Sequence, residues 1–407
     1  MANDVSPTPV TDDAVLVERE TIRTQEGLLQ LVDDLRAAGR FALDTEFAGE
    51  RTYVPRLCLV QVATEKFIAL VDSIAVRDLT PLWALVGDPS IEKVLHAARE
   101  DLRLAYYGGN RLIPKGIFDT QIAAGLVGLS QFPLSYGRLV EALTGVRLPK
   151  TETRSDWERR PLSPDQIRYA RDDVRYLLPI ADKLSRLTAR LGRSTWMSEE
   201  MDRFSEPSVY EPDPDEAYLR LRGPRAGLTA RPTAVLRAVA AWREREAALR
   251  NVPSRMILRD EVMTDIALRS PKRLTDLVKI KNFPLGEETS IGPGILAAIE
   301  DAKALREEDL PPPLVGQDDD TPQQRIVIDL AASLGAALCL ARNLAPELAL
   351  TKASVGELVR GATDNPSLMS GWRAEAIGKE LSKFAKGEAS VSIRVENGEA
   401  KVSIGEV

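Results

Sequence analysis

The chain is poor in the residues that build disulfides or bind soft metals. It has two cysteines, Cys58 and Cys339, far apart in the sequence, and a single histidine, His96. That excludes a disulfide framework, any zinc motif with paired Cys or His spacing, and any mechanism that needs two histidines. Aromatic residues make up only 5% of the chain. No apolar run approaches membrane-span length. The opening residues, Met1-Ala-Asn-Asp-Val-Ser-Pro7, show neither a basic nor an apolar signal region. A soluble, cytoplasmic protein is expected. Positive charge is not in excess: 54 Lys and Arg against 61 Asp and Glu leave a net charge of −7. This argues against a uniformly basic nucleic-acid-coating protein, while leaving room for local basic surfaces.

What is present is a chain of 407 residues, 44% hydrophobic, long enough for roughly two to three domains. Residues 1–20 read as a loose polar leader. Thr24 is placed to cap a helix with Leu28, Leu31, Val32 and Leu35 on one face. Strands are expected over 40–47, 56–63 and 66–71, the last two as a hairpin around Thr64-Glu65. Helices near 79–85 and 98–106 flank a short strand at 92–96. Another strand end, Ile117-Phe-Asp-Thr, enters a helix over 121–127. Ser163-Pro-Asp-Gln opens a long helix to about Leu191, with Ser163 and Gln166 as a capping box and Pro164 in the first turn. A meander followed by alternating strands and helices predicts an α/β domain with a mixed sheet, ending near residue 205.

The acidic, proline-rich segment around 205–216 reads as a linker. Residues 216–306 are helical in pattern, with Val235, Leu236, Val239 and Trp242 on one face. Glu307-Glu-Asp-Leu-Pro-Pro-Pro marks a second break, and another helical block spans about 322–386. The tail alternates about Asn397-Gly398, a hairpin signal that pairs Val395 with Ala400, Ile393 with Val402 and Val391 with Ile404.

Four acids on three of these elements carry the chemistry. Asp44 and Glu46 are two apart on a strand and so project from one face. Side by side they repel and call for a cation, although two solvated acids at a strand end are the plain alternative. Asp101 falls in the first turn of a helix, where an anion is favoured in any case. Tyr169 and Asp173 are four apart on the long helix and share a face, with Asp172 turned about 100° away. Converging, the four need divalent metal. Oxygen-only ligands favour Mg²⁺ or Mn²⁺ over zinc. Two such ions about 3.5–4 Å apart are the arrangement of phosphodiester-cleaving enzymes.

These motifs have a relative. Asp44-x-Glu46, His96-x4-Asp101 and Tyr169-x3-Asp173 resemble the three motifs of the DEDD exonucleases in their tyrosine-bearing branch. Asp44-Thr-Glu-Phe, Phe118-Asp-Thr-Gln, Lys150-Thr-Glu-Thr-Arg-Ser-Asp-Trp157 and Arg160-Pro-Leu-Ser resemble the ribonuclease D family in particular. The resemblance implies a ribonuclease H-like sheet, with Asp44, Glu46, Asp101 and Asp173 as metal ligands and Tyr169 orienting the attacking water. It further implies metal-dependent 3′–5′ release of nucleoside 5′-monophosphates from RNA 3′ ends, with tRNA precursors as substrates. His96 is then a packing or supporting residue. A DNA exonuclease of the same chemistry and a noncatalytic RNA-binding protein are the rival readings; matched RNA and DNA oligonucleotides and a metal titration separate them.

A single-stranded RNA 3′ end needs cations and a stacking surface. Lys150, Arg154 and Trp157 supply such a segment, with packing the other reading of the tryptophan. Phe47, just past the acidic pair, and Gln121 are further candidates. The first helical block resembles the HRDC domain through Leu249-Arg-Asn-Val-Pro-Ser-Arg and Ile280-Lys-Asn-Phe-Pro. Residues 231–306 hold 14 Lys and Arg against 10 Asp and Glu, with Lys272, Arg273, Lys279 and Lys281 clustered as an auxiliary RNA surface. Ile291-Gly-Pro-Gly reads as a turn before a helix. The 322–407 region resembles a second, divergent HRDC copy with an added hairpin. The expected domains are thus 20–205, 216–306 and 322–407.

Overall fold

A computed structural model describes residues 16–49, 51–129, 132–149, 155–221, 228–314, 320–361, 366–396 and 399–406. The chain begins with the edge strand β1 (Val17–Glu18), followed by α1 (Gln25–Ala38). Thr24 caps α1 by accepting the Gly27 N–H at 3.1 Å. Leu28, Leu31, Val32 and Leu35 are its buried face. Next come β2 (Arg40–Ala48), β3 (Arg56–Ala63), β4 (Phe67–Val71), α2 (Thr80–Gly87), β5 (Glu92–Leu95), α3 (Arg99–Gly108), β6 (Ile117–Asp119) and α4 (Thr120–Leu126). Then come α5 (Tyr136–Thr144), α6 (Pro164–Arg175), α7 (Leu177–Arg190) and α8 (Ser194–Asp202).

The sheet order is β1-β4-β3-β2-β5-β6. β3 and β4 form the expected antiparallel hairpin, while β2, β5 and β6 run parallel. The catalytic-strand candidate β2 is therefore central, with Phe41, Ala42 and Leu43 fully buried beneath its acidic end. Residues 16–20 are not a loose leader. Glu18 on β1 pairs with both Arg171 and Arg175 of α6, and Arg171 also donates to the Arg19 carbonyl. The edge strand so staples the helix that carries Tyr169 and Asp173. The Ser163/Gln166 capping box forms as expected. The long helix, however, breaks at Tyr176 into α6 and α7.

Two compact units divide the chain. One holds residues 1–47, 57–206 and 322–407; the other holds 48–56 and 207–321. The last block groups with the first unit, where it packs against α4 and α8. The second unit is α9 (Ala230–Arg250), α10 (Ser254–Ile257), α11 (Asp260–Arg269), α12 (Leu274–Leu277) and α13 (Glu288–Ala304). Its core includes Val235, Leu236, Val239, Ile266, Leu277, Ile295 and Ile299, and Tyr53 packs against it. The 205–216 segment is built of short 3-10 turns around a fully buried Tyr210. Ile291-Gly-Pro-Gly is not a turn: all four residues lie inside α13. A side chain at Gly292 would strike Leu274, and one at Gly294 would strike Trp242, so these glycines permit close helix packing.

The last block is α14 (Pro322–Ala341), α15 (Pro346–Ala349), α16 (Lys352–Arg360), α17 (Gly371–Arg373), a π turn at Ala374–Gly378 and α18 (Lys379–Ala385). A two-stranded ribbon follows, β7 (Ala389–Glu396) and β8 (Glu399–Glu406). Its register matches expectation at Val395↔Ala400, Ile393↔Val402 and Val391↔Ile404; Asn397 and Gly398 lie outside the described residues. Contrary to expectation, α14 is long and apolar enough to cross a membrane by length and composition alone. It carries Asp329, paired with Lys352 at 2.7 Å, and buries Ile328, Ala331, Leu334, Leu338 and Cys339. The block docks on α8: Trp372, 1% exposed, donates its indole N–H to Glu200 at 2.7 Å and stacks on Trp196 with centroids 5.2 Å apart.

Candidate active site

The acids converge at the C-terminal end of β2. Carboxylate oxygens of Asp44, Glu46 and Asp173 all lie within 4.8 Å of one another. Opposite oxygens around an octahedral Mg²⁺ are about 4.2 Å apart, so the set matches the scale of a small divalent ion. Asp101 stands beside this trio rather than inside it. Its carboxylate accepts a short hydrogen bond from the Thr45 hydroxyl, on the neighbouring residue of the same strand.

The electrostatics of the four acids agree with the need for a cation. Burial, then the charges of Asp101, Asp173 and Glu46, push the Asp44 carboxyl well above the usual carboxylate range. Burial, then Asp173 and Asp101, raise Glu46 to about 8. Asp101 and Asp173 are each raised to about 7, chiefly by burial. Among the described residues no Lys or Arg is a leading influence on these four carboxyls, and a divalent cation suits them as counter-charge. The oxygen-only donor set fits a hard ion.

Each acid is positioned by a separate device. Asp44 and Glu46 share a strand face. Asp173 follows Tyr169 by one turn on α6. Asp101 depends on a strained turn: Ala97, between β5 and α3, has φ +56°. A left-handed alanine costs about 1–2 kcal/mol, and Asp119 holds it. Asp119 accepts the Ala97 N–H at 3.1 Å, the Ala98 N–H at 2.8 Å and, as N-cap of α4, the Gln121 N–H at 2.8 Å. The strand-end Asp before a helix is the sequence signal for this cap; the reach to residues 97 and 98 has none.

The other expected residues divide. His96 supports the fold, with ring nitrogens 3.0 Å from the Thr120 hydroxyl and 2.8 Å from the Leu134 carbonyl. Asp172 is not a ligand candidate, since it pairs with Arg175 at 3.1 Å. Trp157 is 4% exposed and lies tilted against Tyr169 at 6.1 Å between centroids. Burial leaves it no free face for a base, so its stacking role is corrected to packing behind Tyr169. Lys150 and Arg154 lie outside the described residues. Arg160 is structural: it grips Asp72 bidentately at 2.7 and 2.8 Å and donates to the carbonyls of Cys58 and Trp157. Phe47 is half-buried next to Glu46. The Gln121 side chain donates to the Leu134 carbonyl at 3.0 Å, so its amide nitrogen is engaged. Arg273 and Lys279 both pair with Asp276, while Lys272 and Lys281 are exposed.

Residues 19–189 match the model of a 3′-5′ exonuclease family, and residues 233–299 match the HRDC domain. The chain is 37% identical to ribonuclease D of Gluconacetobacter diazotrophicus over 374 residues, covering 91% of this chain and 94% of that protein. It is 34% identical to ribonuclease D of Zymomonas mobilis, covering 90% and 94%. Among solved structures it is similar to Escherichia coli RNase D, described as an exoribonuclease involved in structured RNA processing. That likeness has a TM-score of 0.76 and 31% identity, over 90% of this chain and 98% of the other.

Proposed function

This chain belongs to the ribonuclease D family and is a metal-dependent 3′–5′ exoribonuclease, and from that premise we propose which of its residues do the work. Asp44, Glu46, Asp101 and Asp173 would together hold two divalent cations, Mg²⁺ or Mn²⁺. The observation that carries this is the trio of mutually repelling, half-buried carboxylates within 4.8 Å. Bound cations there supply acidification of water and stabilisation of the leaving oxygen. The chain's own residues do the rest. Tyr169, backed by Trp157, presents its hydroxyl to orient the attacking water. Phe47, half-buried next to Glu46, is the candidate to meet the terminal base.

The substrate is RNA with a single-stranded 3′ end, released as nucleoside 5′-monophosphates, with tRNA precursors the natural class. Lys272 and Lys281, with Arg273 and Lys279, form an auxiliary phosphate-binding surface on the helical unit. The 322–386 block is a second HRDC-type copy. Its succession of a long helix, a four-residue helix, a medium helix and a final helical stretch repeats that of α9 to α13. Both copies turn after the long helix on a left-handed asparagine, Asn251 and Asn343, each at φ +51°.

An end-labelled RNA degraded with and without Mn²⁺ tests the reading. A ladder shortening from the 3′ end is expected, abolished in Asp44→Asn and Asp173→Asn. Wild-type turnover in either variant overturns the ligand assignment.

A further inference from the structure

The helix that carries Tyr169 and Asp173 does not run through into α7. In an unbroken helix the Tyr176 N–H donates to the carbonyl four residues back, that of Asp172. Here the Tyr136 phenol stands between them. The Tyr176 N–H, which also turns toward the Val174 carbonyl, donates to Tyr136 Oη at 3.2 Å, and Oη donates to the Asp172 carbonyl at 3.1 Å. A phenol has one proton to give and lone pairs to accept with, so it replaces one helical hydrogen bond by two. A side chain inserted into the i→i−4 ladder is an identifiable cause of a helix break. The break falls here at Tyr176, three residues beyond Asp173.

The inserted group is itself fixed. Tyr136 is the first residue of α5, and its ring lies 5.6 Å from that of His96. His96 is tied at both ring nitrogens, to Thr120 and to the Leu134 carbonyl. Asp172, whose carbonyl receives the phenol proton, is held on its side chain by Arg175. Burial, and then the nearby carboxylates of Asp173 and Asp44, disfavour ionisation of the phenol, which keeps its donor proton.

We propose that Tyr136 is a positioning residue for the exonuclease: its hydroxyl, spliced between Asp172 and Tyr176, sets the helix break that aims Asp173 at Asp44 and Glu46. The inference rests on the reading of Asp173 as a metal ligand. It makes the loop before α5, and the only histidine of the chain, part of the support of the catalytic helix.

The test is Tyr136→Phe, which keeps the ring and its packing and removes only the hydroxyl. Mn²⁺ binding is read by calorimetry without RNA, and kcat and KM are read on single-stranded RNA. Loss of a group that orients a ligand costs about 10–100-fold in metal affinity or activity. Weakened Mn²⁺ binding and a lowered kcat with unchanged KM are therefore expected in a protein that still unfolds cooperatively. Mn²⁺ binding and kcat within about twofold of wild type overturn the inference, as does a fall in thermal stability alone. Asp173→Asn is measured in parallel. Activity in that variant refutes the ligand assignment, whereas an inactive Asp173→Asn beside a normal Tyr136→Phe refutes only the positioning role. Amide exchange in the wild type gives a reading independent of any variant's folding. A protected Tyr176 N–H is expected, and exchange at the rate of an exposed amide overturns the inference.

Discussion

Replacing Asp119 with alanine should disable the enzyme without touching a metal ligand. Asp119 is 2% exposed and accepts four backbone N–H groups, those of Ala97, Ala98, Gln121 and Ile122. Removing an N-cap costs about 1 kcal/mol. Leaving the buried Ala98 N–H unpaired costs about 1–3 kcal/mol more, while the N–H of the exposed Ala97 turns to water. The left-handed Ala97 loses its anchor at the same time, so the turn relaxes instead of enduring the full cost. A net loss of about 2–4 kcal/mol follows, a large share of the about 5–15 kcal/mol of a typical domain. Asp119→Asn keeps one carbonyl acceptor but turns an amide NH₂ toward backbone donors, so a loss of about 1–2 kcal/mol is expected. Urea denaturation followed by tryptophan fluorescence measures both. Because α3 hangs on this turn, Asp101 moves with it, and exonuclease activity should fall further than stability predicts. A loss below about 1 kcal/mol with unchanged turnover would refute the reasoning.

Three other outcomes are expected. Tyr169→Phe removes only a hydroxyl and should lower kcat about 100-fold or more while Mn²⁺ binding stays as in wild type; equal loss of both would place Tyr169 among the ligands instead. Metal binding should strengthen as pH rises from 6 to 8.5, because carboxyls raised to about 7 and about 8 must release protons to accept the cation. The sign for stability is the reverse: raised folded-state values favour the metal-free fold below the unfolded carboxylate range, and that contribution is lost as pH passes through about 7 to 8. Melting in EDTA at pH 6 and 8.5, then with Mn²⁺ at pH 8.5, checks this; a metal-free protein equally stable at both would contradict it. Lys272→Glu with Lys281→Glu should weaken RNA binding, reduce its salt slope by about 2, and leave kcat unchanged; an unaltered slope removes the auxiliary surface.

The sequence by itself determined the elements and the chemistry they bring. Strand alternation put Asp44 and Glu46 on one face, the i,i+4 spacing put Tyr169 and Asp173 on another, and Ser163 with Gln166 announced the helix start. These are local relations, set by backbone periods of two and 3.6 residues, and they survive in any fold the chain adopts. The ribbon register was legible for the same reason. Only the tertiary structure decided what happens between distant segments. Trp157 looked like a stacking surface for a base, yet it packs behind Tyr169, and Arg160 closes on Asp72, 88 residues away. The glycines of α13 looked like a turn, yet they make room for Leu274 and Trp242. The last helical block docks on α8 instead of standing apart. The paired acids of β2 could be read as a cation site from spacing alone. That Asp173 reaches them, while Asp101 rests on Thr45, depends on how α3 and α6 are held: on Asp119, on Glu18 and on the Tyr136 hydroxyl. Long-range contacts of this kind obey packing and hydrogen-bond satisfaction, and these leave no periodic mark in a sequence.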